Sequence, residues 1–99
     1  MAQFKLRFAN QARADLAELA RNPADAKRLR AVQKALGLLE RNPRHPSLQT
    51  HEYSLLSGPA GEKVFEAYAE NRTPAAFRIF FYYTATKGEI MIVTVTPHP

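Results

Sequence analysis

An acid, two arginines and an aromatic surround one short turn in the segment YAENRTPAAFR, Tyr68 to Arg78. Glu70, Arg72, Arg78 and Tyr68 are residue types that handle a phosphate. A guanidinium answers its charge, a carboxylate accepts a proton, and a ring stacks on a base. The apolar runs VFEAYA and FRIFFYY on either side set the turn between two strands. Strand alternation puts Glu66, Tyr68 and Glu70 on one face of the first and Arg78, Phe80 and Tyr82 on one face of the second. A turn that pairs Glu70 with Arg78 makes these faces coincide and brings both charges onto one phosphate. A simple cross-strand ion pair, worth under ~1 kcal/mol at a surface, fits the same spacing. Arg72 reads equally as a solvated loop charge, and Tyr68, Tyr82 and Tyr83 as core or sheet-edge aromatics.

The elements that must position these groups follow from periodicity. Phe4, Leu6 and Phe8 alternate with Gln3, Lys5 and Arg7, the pattern of a half-buried first strand. From Asn10, an expected N-cap, the period becomes helical, with Ala12, Leu16, Leu19 and Ala20 on the apolar face and Arg13, Asp15, Glu18 and Arg21 outside it. Asn22 caps a second helix that starts at Pro23, with Asp25 in its first turn. Its seam of Leu29, Val32, Leu36 and Leu39 predicts an antiparallel helical hairpin. Asn42, Pro43 and Pro46 end that helix, and the segment to Gly61 reads as a long irregular connection. His45 and His51 within it lack metal-ligand spacing and read as capping or solvating residues. Three strands follow, over residues 62–70, 77–84 and 89–96, the last two joined through Lys87 and Gly88 as antiparallel neighbours. The expected class is α+β, with one twisted sheet carrying the helices on one face.

The chain has 99 residues, enough for one domain over 1–99 and one modest core. It is 45% apolar, has no cysteine and contains no run of apolar residues long enough to cross a bilayer as a helix. The N-terminal MAQFKLRF lacks the apolar region of a secretory signal, so a cytoplasmic location is expected. The formal net charge of +5 favours a polyanion or an acidic protein as partner. Lys27, Arg30, Lys34 and Arg41 form a basic stripe on the second helix, either a solvated face or a docking surface for a polyanion.

The segments FANQARADLAELAR, LLERNPRHPSLQTHEY, FRIFFYY and IVTVTPHP, taken in order, resemble the RelE/ParE superfamily of bacterial type II toxins. The resemblance covers nearly the whole chain. It implies a helical hairpin packed on a mostly antiparallel sheet, no cofactor or metal, and an acidic antitoxin that masks the site. RelE-like members cut messenger RNA at the ribosome, and ParE-like members poison DNA gyrase. Arg78 stands where the aromatic-Arg motif of the nuclease members places a transition-state arginine, and His98 matches the strand-end general acid of YoeB-type members. RelE carries lysines where this chain has Glu66, Tyr68 and Glu70, so the chain looks closer to the carboxylate-using YoeB type.

These readings combine into a metal-independent, ribosome-dependent RNA endonuclease with Glu70 as base, Arg78 as charge stabiliser and His98 as acid. His98 also fits a frayed chain end, although an imidazole titrating near neutral pH suits proton transfer. Arg72, Tyr68 and Tyr82 bind substrate in this scheme, and Lys27, Arg30, Lys34 and Arg41 dock on the ribosome. The alternatives are a gyrase inhibitor, which needs no acid or base, and a degenerate member that keeps only antitoxin or DNA association.

Overall fold

The structure, a computed structural model, describes residues 3–70 and 75–97; Arg72 and His98 lie outside the described residues. The chain runs β1 (Lys5–Phe8), α1 (Asn10–Arg21), a 3-10 turn (Pro23–Asp25) and α2 (Ala26–Arg41). A second 3-10 turn (Pro46–Leu48) then leads to β2 (His51–Ser57), β3 (Lys63–Tyr68), β4 (Phe77–Tyr83) and β5 (Glu89–Pro97). The strands form one sheet in the order β1-β5-β4-β3-β2. β1 runs parallel to β5, and every other neighbouring pair is antiparallel.

The two helices lie on one face of this sheet. Ala12 and Leu19 of α1 and Val32, Ala35 and Leu39 of α2 are buried against Ala67, Phe77, Ile79, Phe81, Ile90, Ile92 and Val95. Ala35 joins the expected seam because the contact stripe drifts around a 3.6-residue helix, whereas Leu29 and Leu36 are only partly buried and Ala20 is exposed. Val64, Phe80 and Tyr82 form a smaller apolar cluster on the opposite face, with Tyr53, Met91 and Val93 against it. That second face is where Glu66 of β3 and Arg78 of β4 lie.

Local chemistry fixes the ends of the elements. Ala9, not Asn10, is the N-cap of α1, and it makes no side-chain cap. Ala9 N–H donates to Ile92 O at 2.9 Å, so the pairing with β5 holds the backbone extended up to the helix start. Asn22 caps as expected, its side chain accepting from Ala24 N at 3.0 Å, but the first turn is 3-10 and α2 begins at Ala26. His45 likewise caps the second 3-10 turn, its Nδ1 3.2 Å from Ser47 N.

β2 corrects the expectation of an irregular connection from Asn42 to Gly61. It is an edge strand, exposed at every position except the half-buried Tyr53, so no apolar alternation announces it. Its ladder to β3 keeps His51 opposite Glu66 and Glu52 opposite Phe65, then shifts register before Ser57 pairs with Lys63. Gln49, at a left-handed φ of 49°, turns the chain out of the preceding 3-10 turn and into this strand.

A bulge also reshapes the centre of the sheet. Phe80 pairs with Thr94 and Phe81 with Ile92, which leaves Val93 as the extra residue of β5. The bulge switches the inward set of β5 from Ile90 and Ile92 to Val95. β1 no longer accompanies β5 beyond Ile92, and Asp15 of α1 takes over there. Its Oδ2 accepts from Val95 N at 2.9 Å and from Thr94 Oγ1 at 2.6 Å. Asp15, outside the apolar stripe in sequence, thus ties α1 to β5. Charge-assisted bonds of this kind contribute about 1.5–3 kcal/mol. Asp15→Ala is expected to lower unfolding stability by about 2–3 kcal/mol in denaturant titration, with Asp15→Asn intermediate; a loss below ~0.5 kcal/mol would show that solvent replaces the bonds.

Candidate functional site

The open face of β3 and β4 carries the site. Alternation along β3 sends Phe65 and Ala67 to the helices and Val64 to the second cluster, so Glu66 and Tyr68 emerge on the same side as Val64. On β4, Ile79 and Phe81 face the helices, and Arg78, Phe80 and Tyr82 face away. The predicted sharing of faces between the two strands is therefore present, but the predicted pairing of Glu70 with Arg78 is not. Tyr68 stands opposite Arg78, and Glu66 stands opposite Phe80. Glu70 Oε1 instead accepts from Phe77 N at 3.2 Å and lies 3.9 Å from Arg28 Nε.

The carboxylate that reaches Arg78 belongs to Glu66. Glu66 Oε2 and Arg78 Nε lie 3.6 Å apart, and the residues are only 4% and 9% exposed. This is an ion-pair distance beyond a good hydrogen bond, and both atoms are buried with no hydrogen-bond partner among the described residues. Two further contacts fix the guanidinium. Nη1 donates to Ala76 O at 3.1 Å, and Cζ sits 3.8 Å from the centroid of the Tyr68 ring. The cation meets an aromatic face at Cζ and a carboxylate at Nε, which favours one orientation.

His51, read from sequence as a solvated loop residue, completes the cluster. Its Nε2 lies 2.7 Å from Glu66 Oε1, and its ring packs edge-on to Tyr68 with centroids 5.8 Å apart. A chain of contacts thus runs from His51 on β2 through Glu66 on β3 to Arg78 on β4. The signal that would have found His51 is β2 itself, which pairs His51 with Glu66 once the strand is recognised.

The remaining predicted residues fall elsewhere. Tyr82 is buried with Val64 and Phe80, so it offers no free stacking face. Lys27, Arg30, Lys34 and Arg41 are all exposed on α2. Lys34 lines a cavity of about 280 Å³ together with Ser47 and Tyr68. A second cavity of about 380 Å³ is lined by Arg44, His45, Gln49, His51, Phe65 and Tyr83. Burial pushes the Tyr83 phenol above its ordinary range, and the Arg44 charge partly opposes that shift.

No protein-family model matches the sequence, and no curated protein matches it. Solved structures do match in fold over nearly the full chain. A YoeB/ParE toxin from Agrobacterium tumefaciens is 11% identical with a TM-score of 0.69, covering 97% of this chain and 100% of that one. The archaeal RelE of a RelE-RelB complex from Pyrococcus horikoshii is 14% identical with a TM-score of 0.65, covering 96% and 94%. The YoeB-YefM complex from Staphylococcus aureus gives 16% identity and a TM-score of 0.65, covering 99% and 100%. With its hairpin of helices on a five-stranded sheet, the chain has the fold of the RelE/ParE toxins.

Proposed function

We propose that this protein is the toxin of a type II toxin–antitoxin pair and acts as a metal-independent, ribosome-dependent messenger RNA endonuclease. The observation that carries the reading is Arg78, about nine-tenths buried and fixed between the Glu66 carboxylate and the Tyr68 ring on the uncovered face of the sheet. Cleavage of RNA by its own 2'-hydroxyl passes through a phosphorane that gathers negative charge. A guanidinium whose direction is set beforehand stabilises that charge without reorganising. Tyr68 supplies the face against which the arginine is held. The carboxylate tied to the guanidinium is Glu66, while Glu70 is engaged with Phe77 and Arg28. Arg72 orients the substrate in this reading, and His98 is the acid that the family resemblance implies. An antitoxin as partner is supported by the RelE-RelB and YoeB-YefM complexes among the similar structures.

The basic stripe of α2 serves as the ribosome contact in this reading. Lys34 and Tyr68 share a cavity, so a polyanion lying along α2 is led to the end of β3 beside Arg78. Each cation that neutralises a phosphate releases counterions, and the salt dependence of binding counts them.

The decisive experiment is a cell-free translation reaction in which messenger RNA ends are mapped by primer extension. New cuts are expected only with ribosomes present. Arg78→Ala removes the cation facing the buried Glu66 Oε2 and costs up to about 3–5 kcal/mol of stability, so Arg78→Lys is the better variant. It keeps a positive charge beside Glu66 but loses the planar fork, and cleavage should fall by roughly 10²-fold or more, with melting shifted by only a few degrees. Intact message in the presence of the folded wild-type protein would refute the nuclease reading and direct attention to gyrase supercoiling. Replacing Lys27, Arg30, Lys34 and Arg41 together by Ala should weaken ribosome binding and flatten its log–log salt slope by about 0.7–0.9 for each lost phosphate contact; an unchanged slope would place docking elsewhere.

A further inference from the structure

His51 has no task in the scheme above, yet it is the most exposed member of the charged cluster, its side chain 47% exposed against 5% for Glu66 and 10% for Arg78. Its two ring nitrogens meet different environments. Nε2 lies 2.7 Å from the buried Glu66 Oε1, a contact fixed by the strand register that sets His51 opposite Glu66. Nδ1 lies 2.9 Å from the backbone carbonyl of Gln49, in an exposed contact at the left-handed turn before β2. A carboxylate on one nitrogen holds an imidazole in place and favours a proton at that position, leaving the other nitrogen as the one that meets an incoming group. The second oxygen of the same carboxylate faces Arg78 Nε. One buried glutamate therefore links an exposed imidazole to the arginine proposed to stabilise charge.

We propose that His51, in place of the His98 that the family resemblance offers, donates the proton to the leaving 5'-oxygen in RNA cleavage and that Glu66 is its positioning residue, an assignment that rests on the nuclease reading. As the 2'-oxygen forms its bond to phosphorus, the phosphorus–5'-oxygen bond breaks. The 2'-hydroxyl proton passes to water, and the Nδ1 proton of the imidazolium passes to the 5'-oxygen as the bond to Gln49 O is exchanged for the substrate. The products are a 2',3'-cyclic phosphate, a free 5'-hydroxyl and a neutral imidazole. Arg78, on the other side of Glu66, meets the charge on the non-bridging oxygens. A role confined to pinning β2 to the sheet would need the Nε2 contact alone.

The test uses ribosomes programmed with a short synthetic message that carries either an ordinary phosphate or a 5'-bridging phosphorothiolate at the mapped cut. Sulfur leaves as a thiolate and needs no proton. His51→Gln, which retains a hydrogen bond to Glu66, is expected to slow cleavage of the oxygen substrate by about 10²–10⁴-fold and to cut the sulfur substrate at close to the wild-type rate. Glu66→Gln should show a smaller defect on oxygen, about 10–100-fold, also relieved by sulfur. Equal slowing of both substrates by His51→Gln, or no slowing on oxygen, overturns the assignment while leaving the nuclease reading intact. Failure of the wild-type protein to cut either substrate overturns both.

Discussion

The buried pair of Glu66 and Arg78 is the constraint around which the rest of this molecule is arranged. Two charges taken out of water lose several kcal/mol of hydration each, and their attraction offsets that only when geometry and additional partners are favourable. The structure supplies those partners from four directions: the Tyr68 ring beneath the guanidinium, Ala76 O on Nη1, His51 on the far carboxylate oxygen, and the apolar cluster of Val64, Phe80 and Tyr82 beside them. Each partner depends on a different feature of the fold. Tyr68 and Arg78 face one another because β3 and β4 pair in one register; His51 arrives because a left-handed Gln49 turns the chain into β2 opposite Glu66. A pair 3.6 Å apart, with neither facing atom hydrogen-bonded among the described residues, is not an optimised stabilising bridge. Structures keep imperfectly satisfied buried charges mostly where those charges act.

The sheet makes such an arrangement affordable by dividing its labour between two faces. The large apolar cluster lies under the helices and carries the stability, while the cluster on the opposite face has three buried apolar side chains among the described residues, so charged residues there do not interrupt the main core. The Val93 bulge belongs to the same division. It lets β5 switch its inward residues between Ile92 and Val95, and Asp15 then satisfies the backbone where β1 has ended. The core-facing side of β4 thus stays apolar along its length while Arg78 emerges on the other.

Most of this architecture was legible in the sequence because periodicity reports burial. α1, α2 and β1 each bury one face and show its period, while β3, β4 and β5 carry apolar residues on both faces and read as strands from those runs. β2 buries almost nothing and carries a register shift, so its seven residues look like loop, and His51 was lost with it. The error in the acid partner of Arg78 has a different origin. Alternation fixes which residues share a face, and Glu66, Tyr68 and Glu70 do share it by parity. A slip of two residues preserves every face, so the pattern cannot distinguish Glu66 from Glu70; only the connection between β3 and β4 sets that register. Asp15 escaped notice because a polar residue beside an apolar stripe reads as solvent-facing until the strand it caps is seen to lack a neighbour.

Similarity of fold at 11–16% identity separates what the architecture requires from what the chemistry requires. A helical hairpin on a five-stranded sheet needs apolar residues at the right periods, and many sequences satisfy that. A charge stabiliser needs more: a cation whose direction is decided before substrate arrives. In this chain the direction of Arg78 is set by a carboxylate from β3, a ring from β3 and a histidine from the edge strand, and the proposed chemistry belongs to those four side chains and not to the fold that carries them. The edge position of β2 then acquires a physical meaning. An exposed strand is poorly marked in sequence and weakly held in the sheet, yet it can place a half-exposed imidazole beside a buried carboxylate, which no interior strand of this sheet could do without burying the imidazole as well.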